Sequence, residues 1–307
     1  MKYNLMIRSI NTNLIQPSIC NFNKTINITD VTVRDGLQSY NKILNVHDRS
    51  KIVNYISELG ISDIEVGSLV SDKIIPQMSN SIDVFKSCIN KNPNLNYHML
   101  VANNSKINDI IDNKIKYISF ITSPSESFNQ KNINCSVETS IKNINNMIDK
   151  INYESYIKVY FSCIGGCPYE GEVPLYKIIY TLSQFNKPKI NELCLSDTLG
   201  TLKYEYLDYL LKNMDQDIIN KLSIHLHQIY GSNEWKKIID LCLEYNIRSF
   251  DTSLLNLGGC PAAFSKEKKS GNLNLFDFVD YLDSINEPHL IIKDKIKDIE
   301  NKIQNLI

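Results

Sequence analysis

A closed (β/α)8 TIM barrel, an α/β fold with its active site at the C-terminal ends of the strands, is the architecture this sequence predicts. Eight short apolar segments of strand character recur along the chain, amphipathic segments with helical spacing separate them, and no hairpin signal joins any two. Such alternation requires parallel strands with helical crossovers, and eight units suit closure. The 307 residues are long for an average domain but usual for one barrel of this kind. An open doubly wound sheet is the alternative. It lacks support because no Gly-x-Gly-x-x-Gly turn follows a strand.

The first strand is expected over residues 26–32, its end running into Arg34-Asp35-Gly36. A helix follows, with Ile52, Val53, Ile56 and Leu59 at helical spacing and Gly60 as its stop. Further strands are expected near residues 63–68, 97–101, 117–122, 156–162, 193–198, 222–227 and 249–254. Amphipathic helices are expected near 137–151, 175–185, 204–214 and 235–245. These elements divide the chain into an N-terminal extension (1–25), a barrel (26–287) and a C-terminal helix (288–307). That tail, with Ile291, Ile292, Ile296, Ile299 and Ile303, either packs on the barrel exterior or enters a subunit contact.

Composition narrows the function classes. With 33 basic and 34 acidic residues the net charge is −1, so no global field favours nucleic acid or a membrane surface. No apolar run approaches the ~20 residues of a membrane span. Eight cysteines in a chain this large are expected to be reduced thiols, and Cys163 and Cys167 have no second pair at zinc-finger distance. Residues 1–29 contain no acid. That stretch is read as a loose extension, with a mitochondrial presequence as the alternative, so the compartment is cytoplasm or mitochondrial matrix.

In a barrel, catalytic groups gather at the strand ends. Reading only those positions gives Arg34 and Asp35 after strand one, Glu65 on strand two and Asp197 on strand six. Strand seven adds His225 and His227, two residues apart and so on one face, and the loop after strand eight adds Cys260 and Asn272. Closure makes strands seven, eight and one neighbours, so Asp35, His225, His227 and Asn272 can converge. One carboxylate, two imidazoles and one amide oxygen suit a six-coordinate divalent ion with open positions for substrate. Plainer roles stand beside these. Arg34 can pair with Asp35 or Glu65 structurally, Asp197 can cap the following helix, and Cys163 and Cys167 read as packing residues. Cys260, between two glycines and a proline, gains little from burial and is a candidate reactive thiol.

Several stretches together resemble one family. They are Val33-Arg34-Asp35-Gly36-Leu37-Gln38, Ile64-Glu65 with Pro76-Gln77-Met78, and Ser125-Glu126-Ser127-Phe128 with Lys131-Asn132-Ile133-Asn134-Cys135-Ser136. Cys167-Pro168-Tyr169-Glu170-Gly171, Asp197-Thr198-Leu199-Gly200, the histidine strand with Tyr230-Gly231, and Gly258-Gly259-Cys260-Pro261 with Ser270-Gly271-Asn272 complete the set. Over roughly residues 26 to 284, in the same order, the chain resembles the 3-hydroxy-3-methylglutaryl-CoA lyases of the DRE-TIM metallolyases. The resemblance implies cleavage of HMG-CoA to acetyl-CoA and acetoacetate, with Mg2+ or Mn2+ held by Asp35, His225, His227 and Asn272. It implies Arg34 at the thioester oxygen and Cys260 in a mobile catalytic loop. Glu65, Asp197 and His225 join the expected catalytic set, and a homodimer is the expected assembly.

The chain also departs from the pattern. Gln228 stands where the family usually has aspartate, which implies loss of a carboxylate able to hold a histidine or a metal-bound water. Ser39, Tyr40 and Asn41 replace charged residues, the loop from Cys260 to Asn272 is three residues longer and lysine-rich, and the C-terminal region is short. Two other functions compete. One is a barrel that condenses acetyl-CoA with a 2-oxo acid, and the other is a weakly active or non-catalytic acyl-CoA-binding homologue.

Overall fold

The structure is a computed structural model, and it describes residues 25–229, 231–259 and 270–307. Eight parallel strands form the barrel: β1 (Asn27–Asp30), β2 (Asp63–Leu69), β3 (Asn96–Val101), β4 (Tyr117–Thr122), β5 (Tyr156–Phe161), β6 (Glu192–Asp197), β7 (Leu222–Ile229) and β8 (Ser249–Thr252). Each pairs with the next in the sequence, and β8 pairs with β1 from Asn27 opposite Ser249 to Asp30 opposite Thr252, which closes the ring. The strands are almost wholly buried because they face side chains inside and helices outside.

The helical layer comprises α1 (Val46–Ser57), α2 (Ser81–Lys91), α3 (Ile107–Asp112), α4 (Glu126–Asn132), α5 (Val137–Lys150), α6 (Leu175–Ser183), α7 (Tyr204–Lys212), the short α8 (Gln216–Ile219) and α9 (Glu234–Glu244). Local chemistry starts several of them. Asn45 caps α1 through the amide of Asp48 at 2.8 Å, and Ser136 caps α5 through Thr139 at 3.1 Å. None of the described helices is long and apolar enough to cross a membrane.

Three features differ from the expected elements. First, β1 ends at Asp30. Its carboxylate accepts hydrogen bonds from the Thr32 amide at 2.9 Å and the Thr32 hydroxyl at 3.0 Å, a local turn that draws the backbone out of the strand. Residues Thr32–Gly36 then form one wide π-helical turn, with the Gly36 amide bonded to the Val31 carbonyl at 3.0 Å. Second, a ninth strand, β9 (Ser270–Asn272), pairs antiparallel with β7 and sets His227 opposite Asn272, before α10 (Leu275–Ser284). Third, the terminal helix α11 begins at Ile296 and runs to Gln304, later than the expected 288. Ile296, Ile299 and Ile303 are buried, Ile292 is exposed, and Glu300 accepts from the Leu255 amide at 2.9 Å. The tail packs on the barrel exterior.

Candidate active site

The C-terminal mouth of the barrel opens into a cavity of about 400 Å3. Arg34, Asp35, His225, His227, Ser162, Ser196 and Thr198 lie along its polar part. Val70, Ile75, Leu100, Ile121 and Phe128 form an apolar wall, and Lys131, Asn132 and Asn134 line it farther round.

Strand alternation turns both histidines of β7 inward, with their Nε2 atoms 3.3 Å apart. The Nδ1 of His225 meets a carboxylate oxygen of Asp251 at 3.1 Å, and the Nδ1 of His227 meets the Thr198 carbonyl at 2.9 Å. Both partners can only accept when Asp251 is ionised, so each Nδ1 carries its proton and donates. In the neutral rings each Nε2 is then a bare acceptor. Two lone pairs facing each other at this distance require something positive between them. Ligands at right angles and about 2.1 Å from one ion stand about 3 Å apart, close to the spacing found.

Asp35 completes the group. Its ligand oxygen and the two imidazole nitrogens all lie within 4.8 Å of one another, with Asp35 Oδ2 3.9 Å from His227 Nε2. Burial opposes ionisation of Asp35. Arg34, first among its neighbours, overcomes that penalty and holds the carboxyl well below its ordinary range. Asn272 reaches in from β9, its amide nitrogen donating to Asp35 Oδ2 at 2.9 Å. Its Oδ1 is buried with no hydrogen-bond partner among the described residues, although unpaired buried oxygens are costly. Four donors of mixed oxygen and nitrogen type, one of them an orphaned oxygen, fit a hard divalent cation.

The arginine is fixed from several sides. Its Nε donates to Glu65 Oε2 at 2.5 Å, Nη1 donates to Asp35, and the guanidinium lies 5.3 Å from the centre of the Tyr160 ring. The Tyr160 hydroxyl reaches the same Glu65 oxygen at 3.3 Å. Burial acts against the Arg34 charge, but Glu65 and Asp35 more than compensate and raise its pKa further. A permanently charged group is therefore held still at the cavity surface.

The structure gathers Arg34, Asp35, His225, His227 and Asn272 around one place, with Glu65 behind the arginine. Asp197 does not line this cavity, although its charge acts on His227. Its carboxylate accepts from the amides of Thr201 at 3.1 Å and Leu202 at 2.8 Å, and burial raises its pKa despite those bonds. It ties the loop before α7 and leaves the N-cap of that helix to Lys203. Cys163 and Cys167 are buried packing thiols, and burial pushes Cys163 far up. Cys260 lies outside the described residues. Gln228 corrects an expectation: it follows His227 on the strand and so points the other way. Its side chain meets the Asn274 amide at 3.4 Å and Asp277 at 3.3 Å, on the side of α10, and touches neither imidazole.

Sequence reasoning missed Asp251, Tyr160 and Lys158. Each was visible only as a polar residue inside an apolar strand segment, and nothing in the sequence showed what it met.

The family model described as HMGL-like matches residues 25–284. The chain belongs to the HMGL-like family. Similar to it are human mitochondrial hydroxymethylglutaryl-CoA lyase, 31% identical over 264 residues (85% of this chain and 79% of the relative), and the 3-hydroxy-3-isohexenylglutaryl-CoA/hydroxymethylglutaryl-CoA lyase of Pseudomonas aeruginosa, 30% identical over 248 residues (79% and 81%). Among solved structures, a hydroxymethylglutaryl-CoA lyase from Pseudomonas aeruginosa superposes with a TM-score of 0.83 at 28% identity, covering 92% of this chain and 93% of that one. The HMGL-like barrel is thus shared with lyases along nearly the whole described chain.

Proposed function

We propose that this chain is a divalent-metal-dependent carbon–carbon lyase that cleaves 3-hydroxy-3-methylglutaryl-CoA to acetyl-CoA and acetoacetate. One observation carries the reading: in a family member whose named relatives include such lyases, Asp35, His225, His227 and Asn272 meet beside Arg34 at one cavity.

The reaction breaks the bond between the thioester methylene and the carbinol carbon. The hydroxyl proton leaves as the ketone of acetoacetate forms. The bonding electrons pass into a thioester enolate, which takes a proton on carbon to become acetyl-CoA. Asp35, His225, His227 and Asn272 would hold Mg2+ or Mn2+, which when bound supplies Lewis-acid polarisation of the substrate's hydroxyl and carboxylate oxygens. Arg34 presents a fixed charge to the thioester oxygen, where the enolate charge develops, without having to reorganise. Glu65 and Tyr160 hold that guanidinium in place. The proton for the enolate carbon comes from Cys260 in this reading, since Gly259 immediately before it lines the cavity. The apolar wall with Lys131 and the two asparagines beside it suits the thioester arm of a coenzyme A ester, whose amides, methylenes and phosphates need those three kinds of contact. A homodimer belongs to the same reading.

The test is release of acetoacetate and acetyl-CoA from HMG-CoA with Mg2+ or Mn2+ added, against a chelated control. Metal-dependent formation of both products in equal amounts is expected. Absence of both with the metal demonstrably bound would overturn the assignment.

A further inference from the structure

The barrel holds a second group of ligand-type side chains: Glu192 and Cys194 of β6 and Asp251 of β8, buried, with ligand atoms within 4.8 Å of one another. A lysine serves them. Lys158 of β5 is fully buried, and its Nζ lies 2.8 Å from Glu192 Oε1 and 2.6 Å from Asp251 Oδ1. Two buried carboxylates sharing a site need a cation between them, and the ammonium provides it. Burial works against that charge, but Asp251 and Glu192 outweigh it and hold the lysine protonated.

The far side of Asp251 meets two residues that line the cavity. Its Oδ2 accepts from the Tyr160 hydroxyl at 2.9 Å and from His225 Nδ1 at 3.1 Å. Each oxygen of the carboxylate therefore has its own task, Oδ1 on the ammonium and Oδ2 on the imidazole. Held at Oδ1 by the ammonium as well as at Oδ2 by the Tyr160 hydroxyl, the carboxylate cannot turn, so Oδ2 stays aimed at His225.

We propose that Lys158 is a positioning residue for His225, fixing Asp251 so that the Nδ1 of His225 donates inward and its Nε2 is presented bare to the cavity. The proposal rests on the reading of Asp35, His225, His227 and Asn272 as metal ligands. Without the ammonium, Asp251 Oδ1 is released and only the Tyr160 hydroxyl still restrains the carboxylate, which gains room to rotate. His225 then loses its fixed acceptor and samples the tautomer with its proton on Nε2, which cannot ligate a cation. Glu192 anchors the lysine from the opposite side, so the arrangement runs from β6 through β5 and β8 to β7 and crosses the barrel interior.

The full chain is used for the test, with Mn2+ as probe. Dissociation constants are measured for the wild type, Lys158→Met, Asp251→Asn and the double variant, and the 15N spectrum of His225 is recorded on the metal-free proteins. Lys158→Met is expected to weaken Mn2+ about 10–100-fold, the range typical for partners that orient metal ligands. The double variant should bind no more weakly than Asp251→Asn alone, because Lys158 acts only through Asp251. Metal-free wild type should show the Nδ1–H tautomer, and Lys158→Met a mixture. A purely structural lysine would instead give losses that multiply in the double variant and an unchanged tautomer, and either result overturns the proposal. If the wild type binds no Mn2+, the metal reading itself fails and the tautomer comparison alone decides on Lys158. If Lys158→Met does not fold, Lys158→Met/Glu192→Gln removes the surplus buried charge and carries the same measurements.

Discussion

Gly258→Ala should damage the proposed metal site although glycine supplies no ligand. Gly258 has φ +97, and a Cβ built on it would lie 2.2 Å from Asn272 Nδ2 and 3.1 Å from Asp35 Oδ2. Two penalties follow. Holding alanine in that backbone region costs about 1–3 kcal/mol. The contact must also open by roughly 1 Å to reach an ordinary non-bonded separation, and Asn272 is the nearer of the two groups to move. Displacing a ligand by that much is expected to weaken Mn2+ binding about 10–100-fold, equivalent to about 1.4–2.7 kcal/mol. Gly171→Ala separates the two effects, because Gly171 has φ +75 but nothing within 4 Å of the added Cβ. Thermal melting and Mn2+ titration of both variants form the assay. Both should melt a few degrees lower, while only Gly258→Ala should lose metal affinity. Equal Mn2+ affinity in the two would show that Asn272 and Asp35 do not bind the ion where the structure sets them.

Gln228→Asp should lower the melting temperature while leaving the Mn2+ dissociation constant within about threefold, since it sets a second carboxylate beside Asp277, on the far side of the strand from the imidazoles. Asp63 gives an acid-side prediction. Burial opposes its ionisation, but the hydrogen bond and charge of His98, at 3.0 Å, hold the carboxyl below its ordinary value. A depressed folded-state pKa stabilises above the unfolded value, about 3.9, and that stabilisation fades as pH falls through the folded value. The melting-temperature gap between wild type and Asp63→Asn should therefore be larger near pH 5 and narrow below about pH 4. Cys260→Ser should lose most turnover with little change in melting temperature, whereas Cys163→Ser should lose stability first, because a hydroxyl replaces a wholly buried thiol. The reverse pattern in the two melting curves and rates would exchange their roles.

Barrel strands were legible because each is buried on both faces and reads as a short apolar run, and β4 coincides with its expected range of 117–122. The histidines of β7 were legible through the two-residue period of a strand. What stayed hidden depends on contacts across the chain. Lys158 inside Tyr-Ile-Lys-Val-Tyr-Phe signals that a charge is being buried, but its partner Asp251 lies 93 positions away. The three-residue β9 is too short to show alternation. The early end of β1 has a local cause, the Asp30–Thr32 turn, although Ile26 to Thr32 reads as a continuous strand until the side-chain bonds are known. The family's residue-by-residue likeness misled at one position. Aligning Gln228 with an aspartate said nothing about which way the side chain faces.

The bond between Asn272 and Asp35 joins residues 237 positions apart. During synthesis the first of these groups leaves the ribosome long before the second. At about 5–20 residues per second the delay is roughly 12–47 seconds, and for most of it Asp35 and Arg34 exist without the histidine strand as well as without the asparagine. A nascent chain therefore cannot bring the four residues together until synthesis has passed Asn272. A translation product stopping between His227 and Asn272 carries the arginine, the aspartate and both histidines but lacks the asparagine, so under the proposed metal reading retention of a cation would distinguish chains that extend past Asn272 from those that do not.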